Sequence, residues 1–288
     1  SVETLNVSTD DANATLNALT SNTLQTLNVE ADSESGNDGN FTLTDQLVVR
    51  DGEAGSRDFT LNVSGEDNFT LTGGLASGMD IDNLTISADG GGDRTLNTVD
   101  ISNLSDGGNL IFSGDSDITA GTNAVGLGAG AVSVTVGLNS DGDITLGDLT
   151  GGVAANETVT ISSQSADGSG TNELTDASNV TLNNGSTLEI TGNQDLQLGS
   201  SGNGLTFATM DSETATLDAS GFDAALDVFL TRDTGSASDE QSVNVGTGDT
   251  TVTVDSGAGS NSDDAFSYTF SEDGIADVEI SNFVDEDT

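Results

Sequence analysis

The chain has 288 residues, with 49 Asp and Glu against four Arg and no Lys, which gives a formal net charge of −45. Such a charge argues against binding to nucleic acids or to anionic membranes, because phosphate contacts need Lys and Arg. The chain also lacks Cys and His, which excludes disulfides, thiol catalysis, Ser-His-Asp triads and His-based zinc sites.

Short runs in which apolar residues alternate with Thr, Ser and Asn recur along the chain, separated by Gly, Asp and Asn. In chain order they lie at 4–8, 26–30, 59–65, 68–74, 83–92, 98–104, 158–163, 180–193, 215–222 and 243–257. The alternation predicts β-strands, and the small polar residues predict turns. No stretch is convincingly helical, and 9–24 comes closest. No apolar run approaches the roughly 18 residues of a membrane span. We therefore predict an all-β protein.

The spacing of similar strands favours one all-β architecture. Similar strands recur at Leu5 and Leu27, at Leu84 and Val99, and at Val159 and Val180. A period of about 15–22 residues fits the coil of a right-handed parallel β-solenoid. Tandem β-sandwich domains are the alternative. The solenoid is favoured because Pro is absent and no aromatic residue lies between Ser113 and Thr206, which suits a thin stacked interior.

Aromatic residues divide the chain into two predicted parts. Residues 1–205 form a thin solenoid, and residues 206–288 form a thicker terminal part with bulky capping residues. The aromatic residues of the second part are Phe207, Phe222, Phe229, Phe266, Tyr268, Phe270 and Phe283. The chain begins Ser-Val-Glu rather than with Met, as expected of a processed product or a fragment.

Several predicted turns place two carboxylates beside glycine. Calcium takes six to eight oxygen ligands, which carboxylates and the carbonyls of a glycine-rich turn supply. Because the sequence offers few other counter-ions, we predict calcium as the cofactor. The candidate ligands are Asp89, Asp93, Asp115, Asp117, Asp141, Asp143, Asp263 and Asp264. Two other interpretations stay open: Asp-Gly and Asn-Gly pairs are good turn formers, and an Asp-rich surface without Lys suits very salty surroundings.

Three segments of the last third resemble known bacterial surface proteins. The segment 259–266, GSNSDDAF, resembles a degenerate RTX repeat, G-G-x-G-x-D-x-U-x. The segment 273–288 resembles the part that follows such repeats in proteins exported by type I secretion, with Asp277, Ile280, Phe283 and Asp285 matching. The segment 216–230, TLDASGFDAALDVFL, resembles units of calcium-dependent S-layer proteins of the Caulobacter type. No intact RTX tandem is present, which favours dispersed sites between coils over a regular calcium ladder.

The resemblance implies a β-solenoid that folds with calcium outside the cell and assembles with copies of itself at the cell surface. We therefore expect a non-enzymatic structural subunit of an S-layer or related assembly, with cell-surface polysaccharide as a further partner. The alternative is an adhesin or filament subunit in which residues 1–8 complete a neighbouring copy. A polysaccharide-active enzyme is disfavoured, because lyases normally need a basic residue and Trp is absent.

Overall fold

The structure is a computed structural model that describes sixteen segments of the chain. The described segments are 2–33, 39–49, 58–74, 82–96, 108–120, 125–126, 135–147, 149–153, 155–166, 170–177, 180–183, 185–207, 215–231, 240–255, 265–270 and 278–281.

The regular elements of the described segments are β-strands. In chain order they are β1 Thr4–Ser8, β2 Ala14–Leu16, β3 Leu19–Ser21, β4 Thr26–Glu30, β5 Phe41–Leu43, β6 Leu47–Val49, β7 Asp58–Ser64, β8 Phe69–Leu71, β9 Asn83–Ala88, β10 Arg94–Leu96, β11 Asn109–Gly114, β12 Ile118–Ala120, β13 Val125–Gly126, β14 Thr135–Ser140, β15 Ile144–Leu146, β16 Leu149–Val153, β17 Thr158–Gln164, β18 Thr171–Leu174, β19 Val180–Leu182, β20 Thr187–Gly192, β21 Asp195–Leu198, β22 Leu205–Phe207, β23 Ala215–Phe222, β24 Leu226–Thr231, β25 Glu240–Val245, β26 Thr250–Asp255, β27 Ala265–Phe270 and β28 Val278–Ser281.

Two long parallel sheets form the main faces. Sheet A has eleven strands in the order β1-β4-β7-β9-β11-β14-β17-β20-β23-β25-β27. Sheet B contains the strand that follows each of these in the chain, from β2 through β24, with β26 and β28 joined beyond β24. A third face carries the two-stranded sheet of β3 with β6. It also carries β13, β16, β19 and β22, which join sheet B where β22 pairs with β24. We number the coils by their sheet A strand, so coil 1 begins with β1 and coil 4 with β9.

This arrangement is a parallel β-solenoid, which confirms the predicted all-β fold class against tandem β-sandwiches. Successive strands of one sheet come from successive coils, so the chain returns to the same face after each coil. Inward side chains are apolar and outward ones are polar, which is the burial alternation seen in β7, β9 and β17. No described helix is long and apolar enough to cross a membrane.

The predicted coil period was mostly wrong. Leu5 does pair with Leu27, as that period requires. Leu84, however, pairs with Leu110 rather than with Val99, so this coil is longer than predicted. Val99 itself lies outside the described residues.

The later coils depart from the predicted period in the same direction. Val159 pairs with Leu188, whereas Val180 lies on a different face of the same coil. The short spacing arose because strands on different faces of one coil share the same apolar alternation. Two similar strands can therefore belong to neighbouring coils or to different faces of one coil, and only the strand pairing distinguishes the two cases.

The interior consists largely of stacked rows of apolar residues. Phe41 and Phe69 stack with ring centroids 6.0 Å apart. Beyond them the row continues through Arg94 to Ile118 and Ile144. Both sheets continue past residue 205, where the sequence divides the chain into 1–205 and 206–288. The division into two domains stays a prediction.

Polar ladders run along the outer faces. On sheet A the Asn28 Nδ2 donates to Asn6 Oδ1 at 2.6 Å, and Asn62 Nδ2 donates to Asn28 Oδ1 at 2.8 Å. Sheet B carries one outward Thr in each of six coils. They are Thr15, Thr42, Thr70, Thr95, Thr119 and Thr145. Stacked amides and hydroxyls stabilise a sheet through such cross-strand pairs.

Truncation of an inward side chain should lower the free energy of unfolding much more than truncation of an outward side chain. We expect Leu84→Ala to lower the free energy of unfolding by about 2–5 kcal/mol, because Leu84 is fully buried and its loss leaves a cavity. Thr85→Ser is the matched control on the outward side of the same strand, with an expected change within about 0.5 kcal/mol. Denaturant unfolding, started from conditions in which the chain is folded, measures both changes. Equal losses of unfolding free energy would contradict the assigned inward face.

Candidate functional site

Six of the eight predicted calcium ligands lie at one corner of the solenoid. We call the turns that lead from a sheet A strand to the next sheet B strand the AB corner. The turns of coils 4, 5 and 6 are 89–93, 115–117 and 141–143. They hold Asp89, Asp93, Asp115, Asp117, Asp141 and Asp143. Asp263 and Asp264 lie outside the described residues.

The parallel register stacks these carboxylates in two columns. Ala88, Gly114 and Ser140 are register partners, so the next residues, Asp89, Asp115 and Asp141, form a first column. Arg94, Ile118 and Ile144 are register partners as well, so the preceding residues, Asp93, Asp117 and Asp143, form a second column. The sequence suggested pairs within a turn, whereas the structure also aligns the carboxylates across coils. That alignment follows from the register, which no spacing in the sequence reveals.

The second column works as a ladder of hydrogen-bond acceptors. The Asp143 N–H donates to Asp117 Oδ1 at 3.0 Å, and the Thr171 N–H donates to Asp143 Oδ1 at 2.8 Å. In the first coils asparagine plays the same part. The Asn40 N–H donates to Asn13 Oδ1, the Asn68 N–H to Asn40 Oδ1 and the Asp93 N–H to Asn68 Oδ1, at 2.9–3.0 Å. An oxygen acceptor, with or without charge, therefore satisfies this position.

The first column also binds backbone N–H groups of neighbouring coils. The Gly90 N–H donates to Asp115 Oδ1 at 2.7 Å. Asp141 Oδ1 accepts the Ala166 N–H at 2.7 Å and the Ser165 hydroxyl at 3.0 Å. Each of these carboxylates thus links its own coil to an adjacent one, and the second oxygen is not required for the link.

Buried polar residues concentrate at the same corner. Among the described residues, every buried polar side chain except Ser186 lies in the AB corner or in the strand residues beside it. These are Thr9, Arg94, Ser116, Ser163, Ser165, Asn172, Gln194 and Thr250. Sequence reasoning missed them, because a single Ser or Asn within a strand pattern carries no distinctive signal.

Asn172 shows what these side chains do. Its Nδ2 lies 3.2 Å from the Leu138 carbonyl oxygen, 2.9 Å from Ser163 Oγ and 3.0 Å from Gln194 Oε1. Its Oδ1 accepts the Ile144 N–H at 3.1 Å. Backbone groups that the turns direct inward thus meet side-chain partners, which avoids the cost of a buried unpaired polar group.

Arg94 is the described cation of the corner and is 2% exposed. Burial lowers the pKa of its guanidinium below the usual value, and the charges of Asp93, Asp115, Asp89 and Asp67 oppose that change. Arginine nevertheless stays protonated in proteins. The corner of coil 4 therefore contains a positive charge of the chain itself.

The described residues include carboxylates that calcium could use as ligands, but they do not surround a closed metal site. No group of three or more Asp, Glu, His or Cys side chains among them is arranged to hold a metal ion. At coils 5 and 6 one oxygen of each Asp is engaged with a backbone N–H. The described carboxylates therefore do not form a closed calcium site by themselves. The assignment of all eight aspartates as ligands stays a prediction.

An open groove of about 720 Å³ follows the corner from coil 5 to coil 9. Its polar lining includes Asp141, Ser165, Asn193 and Asp223, with glycines that bring the backbone to the surface. Asp223 Oδ1 accepts the Thr247 hydroxyl at 2.8 Å. The lining has neither a basic nor an aromatic side chain, so it suits cations or hydroxylated ligands better than anions.

No protein family, curated protein or solved structure matches this chain. The candidate function therefore rests on the solenoid and on the chemistry of its AB corner.

The acceptor ladder can be separated from its charge by two substitutions at one position. Asp117→Asn keeps an acceptor for the Asp143 N–H, as Asn68 does for Asp93, and removes a like charge from the column. We expect it to leave the free energy of unfolding unchanged or to raise it. Asp117→Ala removes the acceptor and should lower that free energy by about 0.5–1.5 kcal/mol. Denaturant unfolding in EDTA and molar sodium chloride, which screens the carboxylates, measures both, and a larger loss for Asn than for Ala would contradict the ladder.

Proposed function

We propose that the chain is a non-enzymatic, extracellular structural protein, a subunit of a self-assembling S-layer or related surface assembly that folds and assembles on binding calcium. The observation that carries the proposal is the stacking of Asp89, Asp115 and Asp141 and of their neighbours in successive coils. Such columns make the folded coil stack sensitive to cations.

The size of the repulsion supports a cation-dependent fold. Neighbouring strands of a sheet lie about 4.8 Å apart. Two unit charges at that distance repel by about 1 kcal/mol in water and by about 3.5 kcal/mol at an effective dielectric constant of 20. Several such pairs, added to a net charge of −45, are comparable with the whole stability of a domain. Calcium bridging stacked carboxylates would reverse the sign of this contribution.

The proposed order of events follows from that balance. The acidic chain stays open where calcium is scarce, which suits export. Outside the cell calcium neutralises the turn carboxylates, the coils stack, and the folded subunits associate through calcium bridges between their acidic surfaces. Cell-surface polysaccharide is a proposed further partner, because the groove along the AB corner is lined by hydroxyls, amides and carboxylates.

The alternative is an adhesin or filament subunit joined by strand complementation. β1, the proposed donor strand, pairs with β4 of the same chain through five residue pairs, from Thr4 with Thr26 to Ser8 with Glu30. A filament would therefore need β1 to leave that partner or to use its opposite edge. This observation makes the calcium-bridged assembly the better supported of the two.

A calcium titration after treatment with EDTA tests the proposal. We expect a cooperative gain of β signal in circular dichroism at millimolar calcium, followed by a rise in light scattering, and neither change with magnesium or sodium at equal ionic strength. Asp141→Asn should shift the calcium midpoint upward severalfold, because Asp141 stacks next to Asp115 in the first column.

Asp227→Asn is the matched control, since Asp227 is exposed and stacks on Gln197 and Thr251 rather than on other acids. It should leave the midpoint unchanged. If the full β signal survives EDTA and depends only on high salt, the carboxylates serve salt adaptation and the calcium mechanism fails.

A further inference from the structure

Arg94 is the charged residue of an inward row of sheet B, and its nearest neighbours in that row are apolar. It is the first inward residue of β10, and its register partners in the neighbouring coils are Phe69 and Ile118. The row continues with Phe41 on one side and Ile144 on the other. A guanidinium in such a row carries a large desolvation cost unless it is paired and hydrogen-bonded.

The turns of coils 3 and 4 supply those partners. Arg94 Nη1 donates to the Asp67 carbonyl oxygen at 2.6 Å, and Nη2 donates to the carbonyl oxygens of Gly65 at 2.8 Å and Asp89 at 3.0 Å. The side chain thus joins two successive coils through backbone groups. A Cβ at Gly92 would collide with both the Asp67 carbonyl oxygen and Nη1, so glycine at that position leaves room for the guanidinium.

We propose that Arg94 is a built-in cation that occupies, at the AB corner of coils 3–5, the position a metal ion would take, so that these coils hold together without added metal. This inference goes beyond the proposed function, because it assigns one part of the solenoid to an internal charge rather than to calcium.

The surroundings of the guanidinium have the chemistry of a hard-cation site. Three inward carbonyl oxygens contact it, and the carboxylates of Asp67, Asp89, Asp93 and Asp115 lie near enough to interact with its charge. Oxygen atoms of these two kinds are the ligands that calcium prefers. The guanidinium meets them with a planar fork of donors, of which Nε alone makes no hydrogen bond to the described residues.

Coil 5 belongs to the same unit. The Arg94 N–H donates to the Asp117 carbonyl oxygen, and the Gly90 N–H donates to Asp115 Oδ1. Ser116 donates its hydroxyl to the Gly90 carbonyl oxygen. Three stacked repeats are about the minimum that a solenoid needs for stability, so a unit of coils 3–5 is large enough to persist.

Hydrogen exchange of single amides in EDTA, compared between wild type, Arg94→Ala and Arg94→Met, tests the proposal in the full chain. The reporting amides are those of Phe69 and Asp89, which donate to Asp93 and Val63 carbonyl oxygens within the unit. The reference amide is that of Thr187, which donates to the Glu157 carbonyl oxygen in a distant coil. We expect the wild-type reporters to be protected in EDTA.

In both variants the reporters should exchange at least about tenfold faster than in wild type, because charged hydrogen bonds to three carbonyls are lost. Added calcium should restore protection in Arg94→Ala, whose small side chain leaves the oxygen site open. It should restore less in Arg94→Met, whose side chain fills that space without donors. The exchange rate of the Thr187 amide should be the same in the variants and in wild type, both in EDTA and with calcium.

Two results would overturn the proposal: reporters unprotected in wild type in EDTA, or reporters equally protected in wild type and Arg94→Ala. If Arg94→Ala does not fold, Arg94→Met takes its place, and unchanged protection there has the same meaning. The calcium-driven assembly is judged separately, by the titration of the wild type. A wild type that ignores calcium while Arg94→Ala loses protection would refute the proposed function and leave this inference standing.

Discussion

Most strand residues of this solenoid lie next to a residue of a neighbouring coil, because the strands pair in parallel and largely in register. Each position of a coil therefore has an equivalent about 4.8 Å along the axis. For apolar side chains the repetition produces continuous rows such as Phe41 and Phe69. For amides it produces ladders such as Asn6, Asn28 and Asn62, in which each side chain donates to the one before it. The same geometry that makes these rows favourable makes a row of carboxylates unfavourable.

The corner between sheets A and B is where this constraint is most severe. A tight turn directs backbone carbonyls inward, where water is excluded, and directs side chains toward the rim. Donors are needed inside, and the chain supplies them from Asn172, Ser163 and Arg94. Acceptors are needed for the N–H groups at the rim, and Asn68, Asp117 and Asp143 supply those. Many polar side chains of the corner are thus hydrogen-bonded to backbone groups of the turns and strands.

The strand pattern of the sequence was sufficient to predict an all-β protein, and the absence of Pro and of aromatic residues between Ser113 and Thr206 favoured a solenoid over tandem β-sandwiches. It was not sufficient to predict the coil length. Val159 and Val180 have the same local surroundings in the sequence, yet they lie on different faces of one coil. Placing the aspartates at turns was likewise within reach of the sequence. Their alignment in columns was not, because it depends on turn lengths that differ between coils and still return the chain to the same register.

Arg94 was the feature furthest from sequence reasoning. The motif before it, two aspartates flanking three glycines, predicts a calcium-binding turn. The arginine itself is predicted only as the start of a strand. In the structure that arginine points inward and binds carbonyl oxygens of its own and the preceding turn.

Whether a turn is stabilised by Arg94 or by a metal ion matters for how such an acidic chain begins to fold. If every acidic turn needed a metal ion, the chain would have no ordered part before calcium arrived. Under the two proposals, a corner with its own cation would provide a place from which stacking spreads to the coils whose carboxylates calcium neutralises. Because a solenoid grows by adding one coil to the next, a single preformed segment lowers the cost of ordering all the others.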